Sequence, residues 1–207
     1  MTAPEVIKKK ARKLFENGSH SESLDLCLRL IEMEPEDPGH YLKAVTNYRA
    51  LSRPQEALAA SLKAVSLDPG NPMAHCVCGM VYSDMGDIDE AIASFDSSIG
   101  LNPSNPTTRI LRGSEHAKRG LDEASVYIAH LERGDSHAAA RSRRRVVADL
   151  KRCISDYSSG REFEGESDNL GDTIRSMAAF IADLDDGASA SRLSEQTVIL
   201  GQAIQDV

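Results

Sequence analysis

Residues 74–80, AHCVCGM, bring together the side-chain types best suited to chemistry in this sequence. His75, Cys76 and Cys78 could hold a metal ion or form a redox pair, because imidazole nitrogen and thiolate sulfur are the usual ligands of zinc. Consecutive residues of an α-helix are rotated by about 100°, however, so Cys76 and Cys78 would point to nearly opposite sides. His75 and Cys78 would share a face, but no other Cys/His pair has ligand spacing. We therefore predict packing here, with no metal site and no cofactor.

Signatures of catalysis are missing from the sequence. It contains no P-loop, no GxSxG motif and no strand-associated GxGxxG motif. Asp185–Asp186 and the acidic run Glu162, Glu164 and Glu166 offer carboxylates for acid–base work. Such clusters are more commonly solvated surface charge, and no nucleophile or base accompanies them. We expect a protein that is not an enzyme.

The composition argues against several classes of partner. Of the 207 residues only 4% are aromatic, and the formal net charge is -8, so the stacking platforms and positive surface of a nucleic-acid-binding protein are missing. The four cysteines form no disulfide framework, and the first residues contain no apolar signal core. No apolar run approaches the roughly 18–20 residues of a membrane span. We expect a reduced, cytoplasmic protein without a membrane span that does not bind nucleic acid.

Prolines mark an internal repeat. Pro35, Pro69 and Pro103 close three similar phrases, IEMEPED, VSLDPGN and IGLNPSN, and another proline follows each at the same step. The copies are 34 residues apart, which is the period of a helix–turn–helix repeat. Each copy holds two apolar-periodic stretches, and the second begins at a Ser or Asp with Glu or Gln three residues later, a helix-capping pattern. These pairs are Ser19 with Glu22, Ser52 with Gln55 and Asp87 with Glu90.

The interiors of the copies follow one known pattern. Residues 72–105 carry its small residue, tyrosine, alanine, phenylalanine and proline at Gly79, Tyr82, Ala91, Phe95 and Pro103. Residues 38–71 match through Tyr41, Tyr48, Ala57, Ala64 and Pro69, and residues 4–37 through Ala11, Leu14, Leu30 and Pro35. The sequence therefore resembles the tetratricopeptide repeat (TPR) family. In that pattern His75 takes the large-aromatic position and Cys78 a small apolar position.

The resemblance implies an all-α fold, a right-handed α-solenoid of TPR helix–turn–helix hairpins with a C-terminal helical extension. We predict a solenoid over residues 1–134, with repeats at 4–37, 38–71 and 72–105 and a degenerate repeat at 106–133. The extension would cover residues 135–207, with a polar linker near 158–169 between amphipathic helices. Those helices could cap the solenoid, fill its groove or mediate assembly with a second chain.

The resemblance also implies a non-enzymatic protein–protein interaction module, an adaptor or chaperone, that holds a peptide or helix of a partner in a concave groove. The alternative is a self-associating structural scaffold driven by the C-terminal helices. The family's groove positions fall on Lys8, Lys9, Arg12, Leu42, Lys43, Thr46, Arg49, Cys76, Val77, Met80, Ile110 and Leu111. This set is basic at its N-terminal end and apolar beyond, so we expect a ligand that is acidic at one end and apolar beyond. The open alternative is that the lysines are solvated and the apolar residues are packed.

Two further basic features bear on the partner. One branch of the family clamps the C-terminal carboxylate of heat-shock chaperones, but Arg12 and Lys43 stand where asparagines are expected and Val77 where a basic residue is. We therefore expect that chaperone tails are not the main ligand.

The cluster ARSRRRV contributes Arg141, Arg143, Arg144 and Arg145. It is either a charged helix face, pairing with the acidic residues 162–168, or a nucleic-acid contact, and the overall acidity favours the first.

Overall fold

The structure is a computed structural model that describes the backbone of residues 3–164 and 168–205 and the side chains of residues 3–159 and 171–205. Within these ranges the chain is all-α, as predicted, and forms two compact units, Met1–Pro103 and Ser104–Val207. The first unit contains α1 (Ala3–Glu16), α2 (His20–Met33), α3 (Pro38–Ala50), α4 (Pro54–Leu67), α5 (Pro72–Met85) and α6 (Ile88–Leu101). The second contains α7 (Pro106–Glu132), α8 (Ser136–Glu164), α9 (Asp168–Asp185) and α10 (Ala190–Gln205).

Three antiparallel hairpins, α1–α2, α3–α4 and α5–α6, build the first unit, and each packs on the next. The turn inside each hairpin contains a residue with positive φ: Gly18 at 79°, Ser52 at 55° and Gly86 at 83°. Glycine adopts this left-handed conformation without steric cost, whereas a residue with a Cβ is strained there. The second hairpin therefore reaches the same turn geometry at an energetic cost that the other two avoid.

Asx caps begin the first helices of the second and third hairpins. The side chain of Asp37 accepts a hydrogen bond from the Gly39 N–H, and that of Asn71 accepts one from the Met73 N–H. A proline follows each cap at the first helical position, where its missing N–H costs nothing. The caps predicted for the second helices are wrong: Ser19 and Asp87 occupy the cap position but make no side-chain bond, and Arg53 replaces Ser52 there.

Small residues let the paired helices of the first unit approach closely. A Cβ built on Gly79 would lie only 2.7 Å from two ring carbons of Phe95, and Phe95 is 1% exposed. Ala57 is fully buried in a cluster with Val45, Val77 and Val81, which joins the second hairpin to the third. The packing positions of the repeat pattern thus coincide with the core of this unit.

The second unit departs from the repeat at a glycine. One further 34-residue step beyond Gly86 leads to Gly120, but α7 runs straight through this position to Glu132. Gly120 is buried against α8, where an added Cβ would lie 3.2 Å from Leu150 Cδ2, and at Gly113 it would lie 2.8 Å from the Tyr157 ring. Instead of two short helices, residues 106–133 supply one long arm of a hairpin that turns at Gly134, whose φ is 73°.

A single apolar core joins α7, α8, α9 and α10. It contains the apolar stripes of α8 and α10, with Val146, Leu150, Cys153, Tyr157, Leu193, Leu200 and Ile204 all buried. Charged groups bridge the α7–α8 pair at its edge: Arg119 Nη2 donates to Asp149 Oδ1 over 2.7 Å, and Arg112 Nε donates to Asp156 Oδ2 over 2.8 Å. The long hairpin is therefore held by both apolar packing and partly buried ion pairs.

Part of the predicted extension lies outside the described residues. The backbone of residues 165–167 and the side chains of residues 160–170 are not described, and these cover most of the linker expected near 158–169. The domain boundary expected near Gly134 stays a prediction. None of the helices in the described ranges combines the length and apolar character needed to cross a bilayer.

Candidate functional site

His75 makes a structural hydrogen bond. Its Nε2 lies 2.9 Å from the carbonyl oxygen of Pro69, and because a carbonyl only accepts, Nε2 carries the proton. Tyr41, one repeat earlier, donates from its hydroxyl to the Pro35 carbonyl over 3.1 Å. The imidazole thus replaces the tyrosine in the same contact, which links the first helix of a repeat to the end of the preceding repeat. Cys76 and Cys78 are both buried.

One group of potential metal ligands occurs among the described residues, and it already holds a cation. Atoms of Glu34, Asp37 and His40 lie within 4.8 Å of one another. The Lys8 ammonium lies 3.1 Å from Glu34 and 3.4 Å from Asp37, and its hydrogen bond to Glu34 raises the pKa of Lys8. Hydrogen bonds from His40 and Lys8 lower the pKa of Glu34. The group therefore acts as an ion-pair cluster that joins α1 to the start of α3.

The candidate site is a cleft on the face of the first unit formed by the first helices of the hairpins, here called the inner cleft. Its large end is a space of about 590 Å³ lined by Phe15, Thr46, Arg49, Ala50, Ser52, Arg53, Pro54 and Asp84. Its small end is an adjoining pocket of about 120 Å³ lined by Ala11, Arg12, Phe15, Ser23, Cys27, Lys43, Thr46 and Asn47. Phe15 and Thr46 line both spaces, so they form the ridge between them.

Arginines at the large end of the inner cleft are held in place. Arg49 donates from Nη2 to Asp84 Oδ1 over 3.1 Å, and its Nη1 lies 3.8 Å from Met80 Sδ. Arg53 donates to Glu56 over 2.7 Å, and its guanidinium lies 4.9 Å from the centre of the Tyr48 ring. Planar guanidinium groups fixed by such partners lose little further rotamer entropy when a ligand binds.

Cations at the small end are less constrained. Arg12 is 80% exposed and, within the part of the chain that the structure describes, pairs only with Glu16 on its own helix, over 2.8 Å. Lys43 is exposed, and no ion pair to it occurs among the described residues. Below it the Cys27 thiol is 1% exposed, and burial raises its pKa although the Lys43 charge opposes this. The floor of the smaller pocket is thus neutral, and its rim carries two available positive charges.

Apart from Lys8, which the ion-pair cluster with Glu34 and Asp37 engages, the predicted groove residues divide into three groups. Arg12, Lys43, Thr46 and Arg49 line the two spaces, and Lys9 is exposed on the same helix as Arg12. Leu42 packs against the core cluster that contains Val77, Cys76 is also buried, and Met80 is half-buried. Ile110 and Leu111 lie half-buried in the second unit, where Ile110 packs against its core.

Several lining residues were missed from the sequence, among them Phe15, Arg53 and Asp84. Phe15 lies one helical turn after Arg12 and therefore on the same side of α1, which is a signal that the sequence offers. Its side chain is 38% exposed and touches His20 edge-on with the ring centres 4.9 Å apart. Asp84 could be assigned only once α3 and α5 were known to lie side by side.

Comparisons with known proteins agree with this architecture. The tetratricopeptide repeat family model matches residues 74–105. A MamA fragment from Desulfovibrio magneticus RS-1 is 15% identical with a TM-score of 0.64, covering 97% of this chain and 96% of that chain. The Sgt2 TPR domain from Aspergillus fumigatus is 19% identical with a TM-score of 0.55, covering 60% and 83%.

A third similar structure contains a bound peptide. It is the second TPR domain of human RPAP3 in complex with the HSP70 peptide SGPTIEEVD, 18% identical with a TM-score of 0.51, covering 55% of this chain and 98% of that chain. At these identities the likeness shows the fold alone. No curated protein sequence matches the chain.

Stacked helical hairpins with a cleft along their first helices define the class of helical repeat proteins. Within that class, residues 74–105 match the tetratricopeptide repeat family model, and the chain shares its fold with solved TPR structures.

Proposed function

We propose that the first unit is a non-enzymatic module that binds a peptide segment or helix of a partner protein in the inner cleft. The observation that carries this proposal is the cleft itself, which places an exposed aromatic ridge between two groups of cations. Exposed aromatic and arginine side chains beside a concave space are the usual anchors of protein interfaces. The peptide in the RPAP3 complex supports the proposal, because that protein uses a similar fold.

Charge on the inner cleft indicates the polarity of the ligand. Lys43 and Arg12 would attract acidic side chains at the small end, and Phe15 would contact an apolar one. Arg49 and Arg53 would select a second acidic or hydrogen-bonding group at the large end. Because Val77 and Cys76 are buried, the apolar contact that we expected from them is assigned to Phe15.

Chaperone tails remain a poor match to this surface. Lys8 stands at the matching lysine position of the family's carboxylate clamp, but its ammonium is already engaged by Glu34 and Asp37. A ligand carboxylate would have to displace these partners. We propose an internal acidic segment of a partner as the ligand, within an adaptor or chaperone-like role.

A blocking substitution tests the proposal. Thr46→Arg would place a long side chain between the two spaces, and Ser66→Arg on α4 is a matched control. Both hydroxyls donate to a backbone carbonyl of the same helix over 2.8 Å, and both residues are exposed. Proteins captured from the native host by the unmodified chain and by Ser66→Arg, but lost with Thr46→Arg, would be cleft ligands. Identical partner sets for all three proteins would refute the proposal.

Self-association is the second candidate function. Val198 and Ile199 on α10 are 61% and 62% exposed, although the opposite side of that helix is buried through Leu193, Leu200 and Ile204. An exposed pair of large aliphatic side chains is consistent with contact to a second copy. Light scattering on the full chain should then give a mass above that of the monomer, and Val198→Ser with Ile199→Ser should return it to the monomer. A monomeric unmodified chain at high concentration would eliminate this candidate.

A further inference from the structure

Exposed cations form a row along α8 in the second unit. Arg141, Arg144, Arg145, Lys151 and Arg152 are all exposed, and their spacings of three, four and seven residues place them on one side of the helix. The chain as a whole has a formal net charge of -8. A positive row on an acidic protein is therefore a local feature that composition does not explain.

Among the described residues, two arginines of the ARSRRRV cluster, Arg143 and Arg145, contact other helices of the second unit. Arg143 donates from Nη1 to the carbonyl oxygen of Leu184 over 3.2 Å, which satisfies an acceptor at the end of α9. Arg144 and Lys151 make no hydrogen bond or ion pair with the described residues. Arg141 and Arg145 are four residues apart, and like charges at this spacing repel. The row therefore costs the isolated helix stability.

Pairing within the chain neutralises the row only in part: Arg145 lies 3.6 Å from Glu123 and Arg152 lies 3.4 Å from Asp149, whereas Arg141, Arg144 and Lys151 pair with none of the described residues. The sequence suggested residues 162–168 as the acidic partner, but α8 is one continuous helix from Ser136 to Glu164. At a rise of 1.5 Å per residue, the backbones of Arg145 and Glu162 lie about 25 Å apart along it. The side chains of residues 162–168 lie outside the described residues.

Acidic residues on the neighbouring helices limit the width of the row. Glu123 of α7 lies 3.6 Å from Arg145, and Asp185 of α9 lies 3.8 Å from Arg143. The positive surface is therefore about one helix wide and three turns long. A nucleic-acid duplex is much wider and would bring its phosphates against these flanking carboxylates, whereas a single helix fits between them.

We propose that the α8 row, Arg141, Arg144, Arg145, Lys151 and Arg152, binds an acidic α-helix of a partner protein. The carboxylates of that helix recur every three or four residues on one face and meet the cations in register. This second interaction surface is separate from the inner cleft and does not depend on it. Its free energy is mostly electrostatic, so it weakens as salt is added.

A designed peptide tests the proposal on the full chain. The probe is an alanine-rich helix with glutamates at i, i+4, i+7 and i+11, and its isomer has the same composition with glutamates spread around the helix. Arg144→Glu with Lys151→Glu removes the centre of the row. Lys10→Glu with Lys13→Glu on α1 is the matched control, since it makes the same charge change at exposed residues.

Fluorescence anisotropy at low salt should show that the first pair of substitutions weakens probe binding about tenfold and the control pair less than about twofold. The difference should shrink at high salt. Equal affinity for the probe and its isomer, or unchanged affinity after Arg144→Glu with Lys151→Glu, would overturn the proposal. The proposal would also be overturned if duplex DNA bound more tightly than the probe and lost this affinity with the same two substitutions, because the row would then be a nucleic-acid site.

Discussion

Replacing Gly79 by alanine should destabilise the first unit, whereas the same replacement at Gly100 should stabilise it. Both glycines are helical residues of the third hairpin. The new methyl group at Gly79 would lie 2.7 Å from the Phe95 ring, while the one at Gly100 would meet nothing within 4 Å. Alanine in a helix gains up to about 1 kcal/mol over glycine, and overpacking a core costs about 1–3 kcal/mol.

Because Phe95 is 1% exposed and cannot move aside, we expect Gly79→Ala to lose about 1–2 kcal/mol in the free energy of unfolding. Gly100→Ala should gain about 0.5–1 kcal/mol. Urea unfolding followed by far-UV circular dichroism measures both, and an unchanged m-value checks that the same surface is exposed on unfolding.

A double-mutant cycle separates steric overlap from any other effect of the substitution. Phe95→Leu shortens the side chain that the new methyl group strikes, so Gly79→Ala should cost at least about 1 kcal/mol less in that background than in the unmodified chain. If Gly79→Ala proves as stable as Gly100→Ala, or if the two changes at Gly79 and Phe95 add without coupling, the close approach of α5 and α6 is not what requires glycine here.

Three further predictions concern the turn, the ion pairs and the thiols. Ser52→Gly should raise the free energy of unfolding by about 0.5–1 kcal/mol, because it removes a left-handed residue with a Cβ; an equal or lower melting temperature would count against strain there. Burial alone would raise the pKa of Asp149, but hydrogen bonds from His116 and Arg119 hold it well below its ordinary value. The ionised Asp149 therefore stabilises the fold above pH ~4, and this stabilisation is lost as the pH falls further. Asp149→Asn should make the free energy of unfolding less dependent on pH below ~4. An unchanged pH dependence in this range would exclude the role. All four cysteines are buried, so a thiol reagent should label the native protein slowly and the unfolded protein fully, and rapid native labelling would contradict the packing.

The sequence by itself determined the repeats of the first unit. The 34-residue spacing of its prolines, the aromatic position held by Tyr41 and His75, and the small residue at Gly79 are local signals that recur once per hairpin. Each hairpin contacts its neighbours in the same way, so periodicity alone was enough to place helices, turns and core. The family resemblance, carried onto these repeats, also predicted Arg12, Lys43, Thr46 and Arg49 as groove residues, and all four line the inner cleft.

Only the tertiary structure decided the roles of residues that the 34-residue period does not specify. Gly120 has the type and spacing of a turn residue, yet it is helical because Leu150, far away in the sequence, packs against it. The sequence predicted that Lys8 would be available to a ligand, but Glu34 and Asp37 form ion pairs with it. It also predicted Val77 as a groove residue, but Val77 is buried in the cluster with Val45, Ala57 and Val81. A glycine, a lysine or a valine encodes several roles equally well, and the choice depends on side chains that approach from other helices, which no local pattern contains.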